Sequence, residues 1–244
     1  MYCGSSTLSK PKVSIIGVGP GSSDWVSPAS LTAIEQSDWI IGWELDFKPL
    51  GKLPDGKRII FQTCADYKQI IEKTALEAFS AHASIAILKT GDPLIAPAGL
   101  EDLKRIFNKF DMRIIPGIST IQLTAAKVPV SLSDCQIFTY HPLPHDGGRD
   151  LRLKRKRMVF ALERGFNLLV LTGVRQSPKQ TASFLIHAGI DNRTPCLVCQ
   201  NPGQLQETIT RCSLEKLTNL NFDWQSVLVV INGKSPFKAS ACNP

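Results

Sequence analysis

Near its amino terminus the chain reads VSIIGVGPG over residues 13–21. A short apolar run of this kind is typical of a buried strand, and here it ends in a turn that contains three glycines. Two later runs end in a similar way, at Gly91-Asp92-Pro93 and at Pro116-Gly117. Turns that follow parallel strands meet at the carboxyl edge of the sheet, where such sheets bind small molecules. The sequence therefore predicts a small-molecule site at this edge.

Strands and helices alternate through the first half of the chain. Ser27 and Pro28 are suited to the N-cap and N1 positions of a helix after the first strand. A longer helix is predicted from Asp66 to about His82, with Ile70, Leu76 and Phe79 on its inner side. The pattern favours an α/β fold with a doubly wound parallel sheet. Strands are predicted at residues 13–18, 39–41, 58–61, 84–88 and 112–115.

A second unit follows an aperiodic stretch at residues 128–134. Some of its strands are not separated by a helix, which indicates a mixed sheet with flanking helices. We therefore predict an N-terminal α/β domain over 12–128 and a C-terminal α/β domain over 135–234. Strands of the second domain are predicted at residues 136–140, 168–171, 196–200, 207–211 and 227–231.

Composition limits the class of protein. Apolar residues make up 43% and charged residues 20% of the chain, as in ordinary soluble domains. No run approaches the ~18 apolar residues of a membrane span, and the first residues lack the apolar core of a signal peptide. The seven cysteines are scattered and odd in number, so we expect a cytoplasmic protein without a disulfide framework. Cys196 and Cys199 lack further ligands at zinc-binding spacing, so no metal site is predicted.

The formal charge of +7 favours an anionic partner. Much of this charge lies in the basic segment at 149–157. A solvated helix face is the simplest interpretation, with RNA phosphates or a polycarboxylate ligand as alternatives. Few aromatic residues accompany these cations, so the sequence gives little support to nucleic-acid binding.

The first two glycine turns each allow more than one interpretation. The turn at 17–21 departs from the dinucleotide-binding motif because Ser22 replaces its third glycine and Pro20 stiffens it. Glu44 lies near the distance expected of a ribose-binding acid, so an NAD-dependent oxidoreductase remains an alternative. The carboxylate of Asp92 could bind a hydroxyl or amine of a ligand, or it could stabilise its own Asp-Pro turn.

Four segments taken in order resemble the tetrapyrrole methylase family, over about residues 13–231. They are GVGPG (17–21), KTGDPLIAPAG (89–99), IIPGISTIQLTAAKV (114–128) and LLVLTGV (168–174). The resemblance implies the two-domain fold of that family, with S-adenosylmethionine in the cleft between the domains. Within the family the chain is most similar to the cobalt-precorrin-7 (precorrin-6Y) C5-methyltransferases of cobalamin synthesis. It shares with them the run IFTYH (137–141) and the ending ETITRCSLEKL (207–217).

The resemblance also implies roles for individual residues. His141 and Asp24 are candidates for moving a proton. Relatives often carry an aromatic residue and a glycine where this chain has Ile95-Ala96-Pro97, which indicates a reshaped acceptor pocket. The implied S-adenosylmethionine-binding residues are Gly91, Asp92, Pro93, Ile95, Ser119, Thr120 and Thr172. The implied substrate-binding residues are Gly17, Gly19, Pro20 and Gly21.

The implied partner is a polycarboxylate tetrapyrrole, and the family resemblance suggests a homodimer. The chain has no room for a second methyltransferase domain, so we expect C15 methylation and decarboxylation to belong to a separate protein. A ribosomal RNA ribose 2′-O-methyltransferase of the same fold is the main alternative. Another alternative is a non-catalytic RNA-binding protein, an interpretation that only the net charge of +7 supports.

Overall fold

The computed structural model of the protein describes residues 9–63, 65–96, 99–140, 149–173 and 176–233. The chain divides into two compact units, one ending at Ile118 and the other starting at Ser119. Each unit is built on its own sheet with its own buried core.

The described part of the first unit contains a five-stranded sheet in the order β3-β2-β4-β1-β5, and every strand pair in it is parallel. After β1 the chain crosses to β2, towards the β3 edge of the sheet, and after β4 it crosses to β5, at the opposite edge. The switch point of the topology therefore lies between β1 and β4, where open α/β sheets bind ligands. The strands are β1 Lys12–Gly17, β2 Trp39–Gly42, β3 Arg58–Phe61, β4 Ile85–Lys89 and β5 Asp111–Ile115.

Helices connect these strands. As the sequence predicts, Ser27 caps the first helix by accepting a hydrogen bond from the Ser30 amide, and Pro28 is its first residue. The inner face predicted for the third helix is wrong. Its buried residues include Ile71, Ala75 and Ala78, whereas Leu76 is 73% exposed. The α-helices in the described part of this unit are α1 Pro28–Glu35, α2 Glu44–Phe47, α3 Tyr67–Ser80 and α4 Leu100–Ile106.

The reason lies in helical periodicity. Ile71, Ala75 and Ala78 share one side of α3 at helical spacing, and this side packs in the core of the first unit. Ile70, Leu76 and Phe79 are spaced so that they point to different sides of a helix with 3.6 residues per turn, so their hydrophobicity alone did not identify the buried face.

The second unit has a mixed five-stranded sheet within its described residues, in the order β6-β7-β10-β8-β9. Its first pair, β6 and β7, is parallel and the other pairs are antiparallel. This architecture confirms the predicted fold class. The strands are β6 Cys135–Thr139, β7 Asn167–Leu171, β8 Pro195–Gln200, β9 Thr208–Ser213 and β10 Ser226–Val230. The helices are α5 Thr120–Lys127, α6 Arg149–Glu163, α7 Pro178–His187 and α8 Leu214–Leu217.

The helix α5 packs against β7 and β10 of the second unit. The bounds 12–128 and 135–234 drawn from the sequence assign this helix to the first domain. The helix follows the division between the two units at Ile118 and Ser119, and a helix next in sequence to β5 need not pack on the sheet of β5. The domain bounds themselves stay a prediction.

Candidate functional site

The carboxyl ends of β1, β4 and β5 meet in a tight contact of backbone on backbone. We call this contact the glycine junction; it consists of Gly17, Gly91 and Gly117. A Cβ atom placed on Gly17 would lie 2.5 Å from the Gly117 nitrogen and 2.7 Å from the Gly91 carbonyl oxygen. Real Cβ atoms essentially never approach closer than 3.0 Å. The prediction that the three turns gather at one edge of the sheet is confirmed, and glycine is required because no side chain fits between the backbones.

Hydrogen bonds extend this junction beyond the strands. The Val18 amide donates to the Lys89 carbonyl at 3.0 Å, and the Gly91 amide donates to the Gly19 carbonyl at 2.7 Å. Gly19 and Gly91 have φ angles of +76° and +73°, a region that glycine adopts without steric cost. Pro20 between the glycines is buried. The first two turns are therefore joined into one rigid edge.

Asp92 connects the second turn to the third. One carboxylate oxygen accepts a hydrogen bond from the Leu94 amide at 2.6 Å, and the other accepts one from the Gly117 amide at 3.2 Å. The first bond is the self-stabilised Asp-Pro turn that the sequence offered as the structural alternative. The second bond gives Asp92 a wider positioning role, because it holds the loop after β4 against the loop after β5. Whether Asp92 also binds a ligand stays a prediction.

The proposed proton carriers are not brought together by the described structure. Asp24 is exposed in a short 3₁₀ helix over Ser23–Trp25, where its amide donates to the Ser22 hydroxyl at 3.4 Å. His141 lies outside the described residues. Both roles stay predictions.

A group of polar residues that the sequence interpretation missed lies at the same edge of the first sheet. We call it the polar cluster; Asp46 and Gln62 in it are buried, and Tyr67, Lys89 and Thr90 are partly buried. Asp46 is 5% exposed and accepts hydrogen bonds from the Trp43 amide at 2.9 Å, the Thr90 amide at 2.7 Å and the Thr90 hydroxyl at 2.6 Å. Its carboxylate thereby ties the segment after β2 to the end of β4.

Burial sets the protonation of this cluster. Loss of hydration raises the pKa of Asp46, against the opposing effect of its hydrogen bonds to Thr90 and Trp43 and of the nearby Lys89 charge. The same loss of hydration lowers the pKa of Lys89, and the charge of Asp46 opposes that shift. Burial likewise raises the pKa of Tyr67 to about 12. Perturbed acid–base groups concentrate at functional sites, which makes this cluster a candidate for proton transfer or for binding a charged ligand.

Lys89 lies directly before the Thr90-Gly91-Asp92 turn, with its Nζ 5.5 Å from the centre of the Tyr67 ring. The Tyr67 hydroxyl donates to the Gly99 carbonyl at 3.4 Å. The aromatic face and the Asp46 carboxylate therefore both favour the charged form of a lysine that burial disfavours.

Gln62 follows β3 and is 3% exposed. Within the described ranges neither its amide nitrogen nor its amide oxygen has a hydrogen-bond partner. A buried, unbonded amide costs free energy of folding, which is characteristic of groups retained for binding rather than for stability. The sequence signal for this cluster was the polar residue that ends or follows each of two strands, Gln62 after β3 and Lys89 at the end of β4.

In the second unit, Ser119 and Thr120 begin α5. The Ser119 hydroxyl accepts from the Ile121 amide at 3.2 Å, and the Gln122 side chain accepts from the Ser119 amide at 2.7 Å. This capping box fixes the start of α5 at Ser119. Thr172, at the end of β7, is fully buried and its hydroxyl donates to the Ser226 carbonyl at 2.7 Å. Their roles in binding stay predictions.

The basic segment at 149–157 forms part of α6 and does not act as one uniform charged face. Arg155 is half-buried; it donates to the Gln176 side chain at 3.2 Å, and its guanidinium lies 4.9 Å from the Phe184 ring centre. Lys154 pairs with Asp150. The exposed cations of this segment are Arg152, Lys156 and Arg157.

Two further observations concern metals and membranes. Among the residues that the structure describes, no group of three or more His, Cys, Asp or Glu side chains is placed to hold a metal ion. No helix in these same ranges combines the length and the apolar character that crossing a membrane requires. Cys196 and Cys199 are both fully buried.

The family model for the tetrapyrrole (corrin/porphyrin) methylases matches residues 12–218. The chain belongs to the tetrapyrrole methylase family. This is a family of S-adenosylmethionine-dependent methyltransferases. Membership argues against the NAD-dependent oxidoreductase, which is also disfavoured because a 3₁₀ helix separates the turn at 17–21 from α1.

Three relatives illustrate the similarity. A probable cobalt-precorrin-7 C(5)-methyltransferase of Methanocaldococcus jannaschii is 28% identical over 88% of this chain and 95% of its own length. A cobalt-precorrin-4 C(11)-methyltransferase of the same organism is 25% identical over 84% and 80%. The crystal structure of a uroporphyrin-III C-methyltransferase of Thermus thermophilus, in complex with S-adenosylhomocysteine, has a TM-score of 0.68. It is 21% identical and the match covers 90% of this chain and 92% of that one, so it supports the fold alone.

Proposed function

We propose that the protein transfers a methyl group from S-adenosylmethionine to C5 of a cobalt-precorrin in cobalamin biosynthesis. The observation that carries this proposal is the match to the Methanocaldococcus C(5)-methyltransferase, which spans 95% of that relative. The relative that acts at C(11) is less similar and is covered over 80% of its length. C11 methylation is therefore the second candidate.

The edge of the first sheet suits the methyl donor. Gly91 exposes its backbone at a positive φ, and the Asp92 carboxylate oxygens each retain capacity for a further hydrogen bond. For the first unit we propose donor contacts from Gly91, Asp92, Pro93 and Ile95. Ser119, Thr120 and Thr172 of the second unit are proposed on the family resemblance alone.

The chemistry asks little of the side chains beyond position. Bound S-adenosylmethionine supplies a methyl group on a sulfonium, which is a good leaving group. The protein then has to hold an electron-rich ring carbon in line with that methyl group and to exclude water. The rigid glycine junction provides a fixed surface for this alignment. Asp46 and Lys89 lie at the same edge and offer groups that can hold or move a proton.

Carboxylates of a precorrin would also meet positive charge. Arg152, Lys156 and Arg157 are exposed on α6 and can attract an anionic substrate at long range. The role of Gly17, Gly19, Pro20 and Gly21 on the acceptor side belongs to the same proposal, as does the homodimer.

A methyl-transfer assay tests the proposal. The purified protein is incubated with S-adenosylmethionine and, in separate reactions, with cobalt-precorrin-7, cobalt-precorrin-4 and ribosomal RNA. We expect one added methyl group on cobalt-precorrin-7 only. Transfer to cobalt-precorrin-4 would favour the second candidate, and transfer to RNA would contradict both. A second methyl group or loss of carbon dioxide would contradict the expectation that a separate protein acts at C15.

A further inference from the structure

Two cysteine thiols face each other across the outer strands of the second sheet. Cys196 on β8 and Cys212 on β9 are directly opposite in the antiparallel register. Their sulfur atoms are 3.7 Å apart, and both cysteines are in the thiol form. This pair lies in a different unit from the glycine junction.

The two thiols differ in accessibility. Cys196 is fully buried in the core of the second unit. Cys212 is partly exposed, on a strand that pairs only with β8 within the described sheet. A small reagent can therefore approach Cys212 first, and Cys196 lies behind it.

The surroundings also favour the thiolate form of Cys212 over that of Cys199. Its pKa is lowered, chiefly by a hydrogen bond from Cys196 and further by the positive charge of Lys216, against an opposing effect of burial. Burial instead raises the pKa of Cys199, on the other face of β8, to about 11. The thiolate is the reactive form, so at a given pH Cys212 supplies more of it than Cys199.

The backbone already has the separation that a disulfide needs. Directly opposite residues of an antiparallel pair have Cα atoms roughly 4.5–5.5 Å apart, and disulfides span roughly 4.4–6.8 Å between Cα atoms. The sulfur atoms then have to close from 3.7 Å to the bond length of about 2.05 Å.

We propose that Cys196 and Cys212 form a reversible cross-strand disulfide by exchange with a small-molecule disulfide such as oxidised glutathione. The Cys212 thiolate attacks one sulfur of the reagent, which forms a mixed disulfide and releases one glutathione thiolate. Cys196 gives up its proton and attacks the Cys212 sulfur, and the second glutathione leaves. Two protein thiols are oxidised and one glutathione disulfide is reduced to two thiols, so the exchange balances.

The linkage would join β9 to β8 across the connection at 201–207. Closing a loop restricts the unfolded chain, and the two cysteines are separated by 16 positions. For a loop of this size we expect the unfolding temperature of the oxidised protein to rise by about 5–10 °C.

The experiment exposes the native full-length protein to graded ratios of oxidised to reduced glutathione and maps its peptides by mass spectrometry. We expect a peptide containing Cys196 linked to one containing Cys212, with no retained glutathione, and recovery of both thiols on adding dithiothreitol. Cys199→Ala is the matched control from the same strand and should form the same link. Cys212→Ala should not form it.

The wild-type peptide map decides the outcome even if a variant folds poorly. A glutathione adduct that stays on Cys212, a link between other cysteines, or unchanged thiols at every ratio would overturn the proposal. A link that forms only after unfolding, as monitored by circular dichroism, would overturn it as well.

Discussion

Substituting Gly17 by alanine tests the glycine junction directly. The new Cβ atom would lie 2.5 Å from the Gly117 nitrogen and 2.7 Å from both the Gly117 Cα and the Gly91 carbonyl oxygen. These are backbone atoms, and reaching the 3.4 Å at which ordinary contact begins would require them to withdraw by about 0.7–0.9 Å. Overpacking of this kind costs about 1–3 kcal/mol, which a less flexible unfolded chain offsets only in part.

A loss of that size should lower the midpoint of thermal unfolding by about 2–4 °C for each kcal/mol. Since the junction shapes the proposed donor surface, the affinity for S-adenosylhomocysteine should fall together with stability. Gly233→Ala is the matched control, because a Cβ atom there meets nothing within 4 Å. Differential scanning calorimetry and binding calorimetry on the two variants give the comparison. If Gly17→Ala matched Gly233→Ala in both measurements, the junction would not be the tight contact described.

Three further substitutions probe the charges and polar groups. Asp46→Asn removes a carboxyl whose raised pKa lets the folded protein take up a proton above pH 3.8. The wild-type protein should therefore gain stability relative to the variant as pH falls from 7 towards 4, by about 1.4 kcal/mol per unit of pKa shift. A constant or reversed difference in denaturant titrations would contradict this. Gln62→Leu should stabilise the protein by about 1–3 kcal/mol because it removes a buried amide without partners, whereas a destabilisation, measured against Gln69→Leu on an exposed surface, would show that the amide is bonded. Arg157→Glu should raise the KM for the tetrapyrrole several-fold at low salt and less at high salt. The control Lys12→Glu, at the amino end of β1, should leave the KM unchanged, and equal effects of the two variants would show that α6 has no specific role in attracting the substrate.

The choice of Arg157 follows from the structure. On the sequence alone, Arg155 and Arg157 are equivalent members of one basic segment. Arg155 contacts Gln176 and Phe184, so reversing its charge would disturb packing as well as the surface potential. Arg157 is exposed and separates the two effects.

Features set by neighbouring residues could be predicted from the sequence. Ser27 caps its helix as expected, because a hydroxyl next to a helix start needs only the amides two or three residues on. The strands and the mixed character of the second sheet followed from the spacing of apolar runs. The meeting of Gly17 with Gly117 followed from the rule that parallel strands share a carboxyl edge.

Features set by packing between distant segments could not be predicted. Asp46 and Thr90 are 44 positions apart, and their hydrogen bonds arise only because β2 and β4 are neighbours in the sheet. The burial that shifts the pKa of Lys89 has the same origin. The inner face of α3 is a different case, because the helical spacing of Ile71, Ala75 and Ala78 was present in the sequence.

The most direct test of the central claim is the position of the methyl group on the product. The protein is incubated with S-adenosylmethionine labelled at its methyl carbon and with cobalt-precorrin-7, and the product is examined by nuclear magnetic resonance and mass spectrometry. The account predicts a single labelled methyl group, on C5. A label at another ring position, or no transfer from a protein that binds S-adenosylhomocysteine, would contradict it.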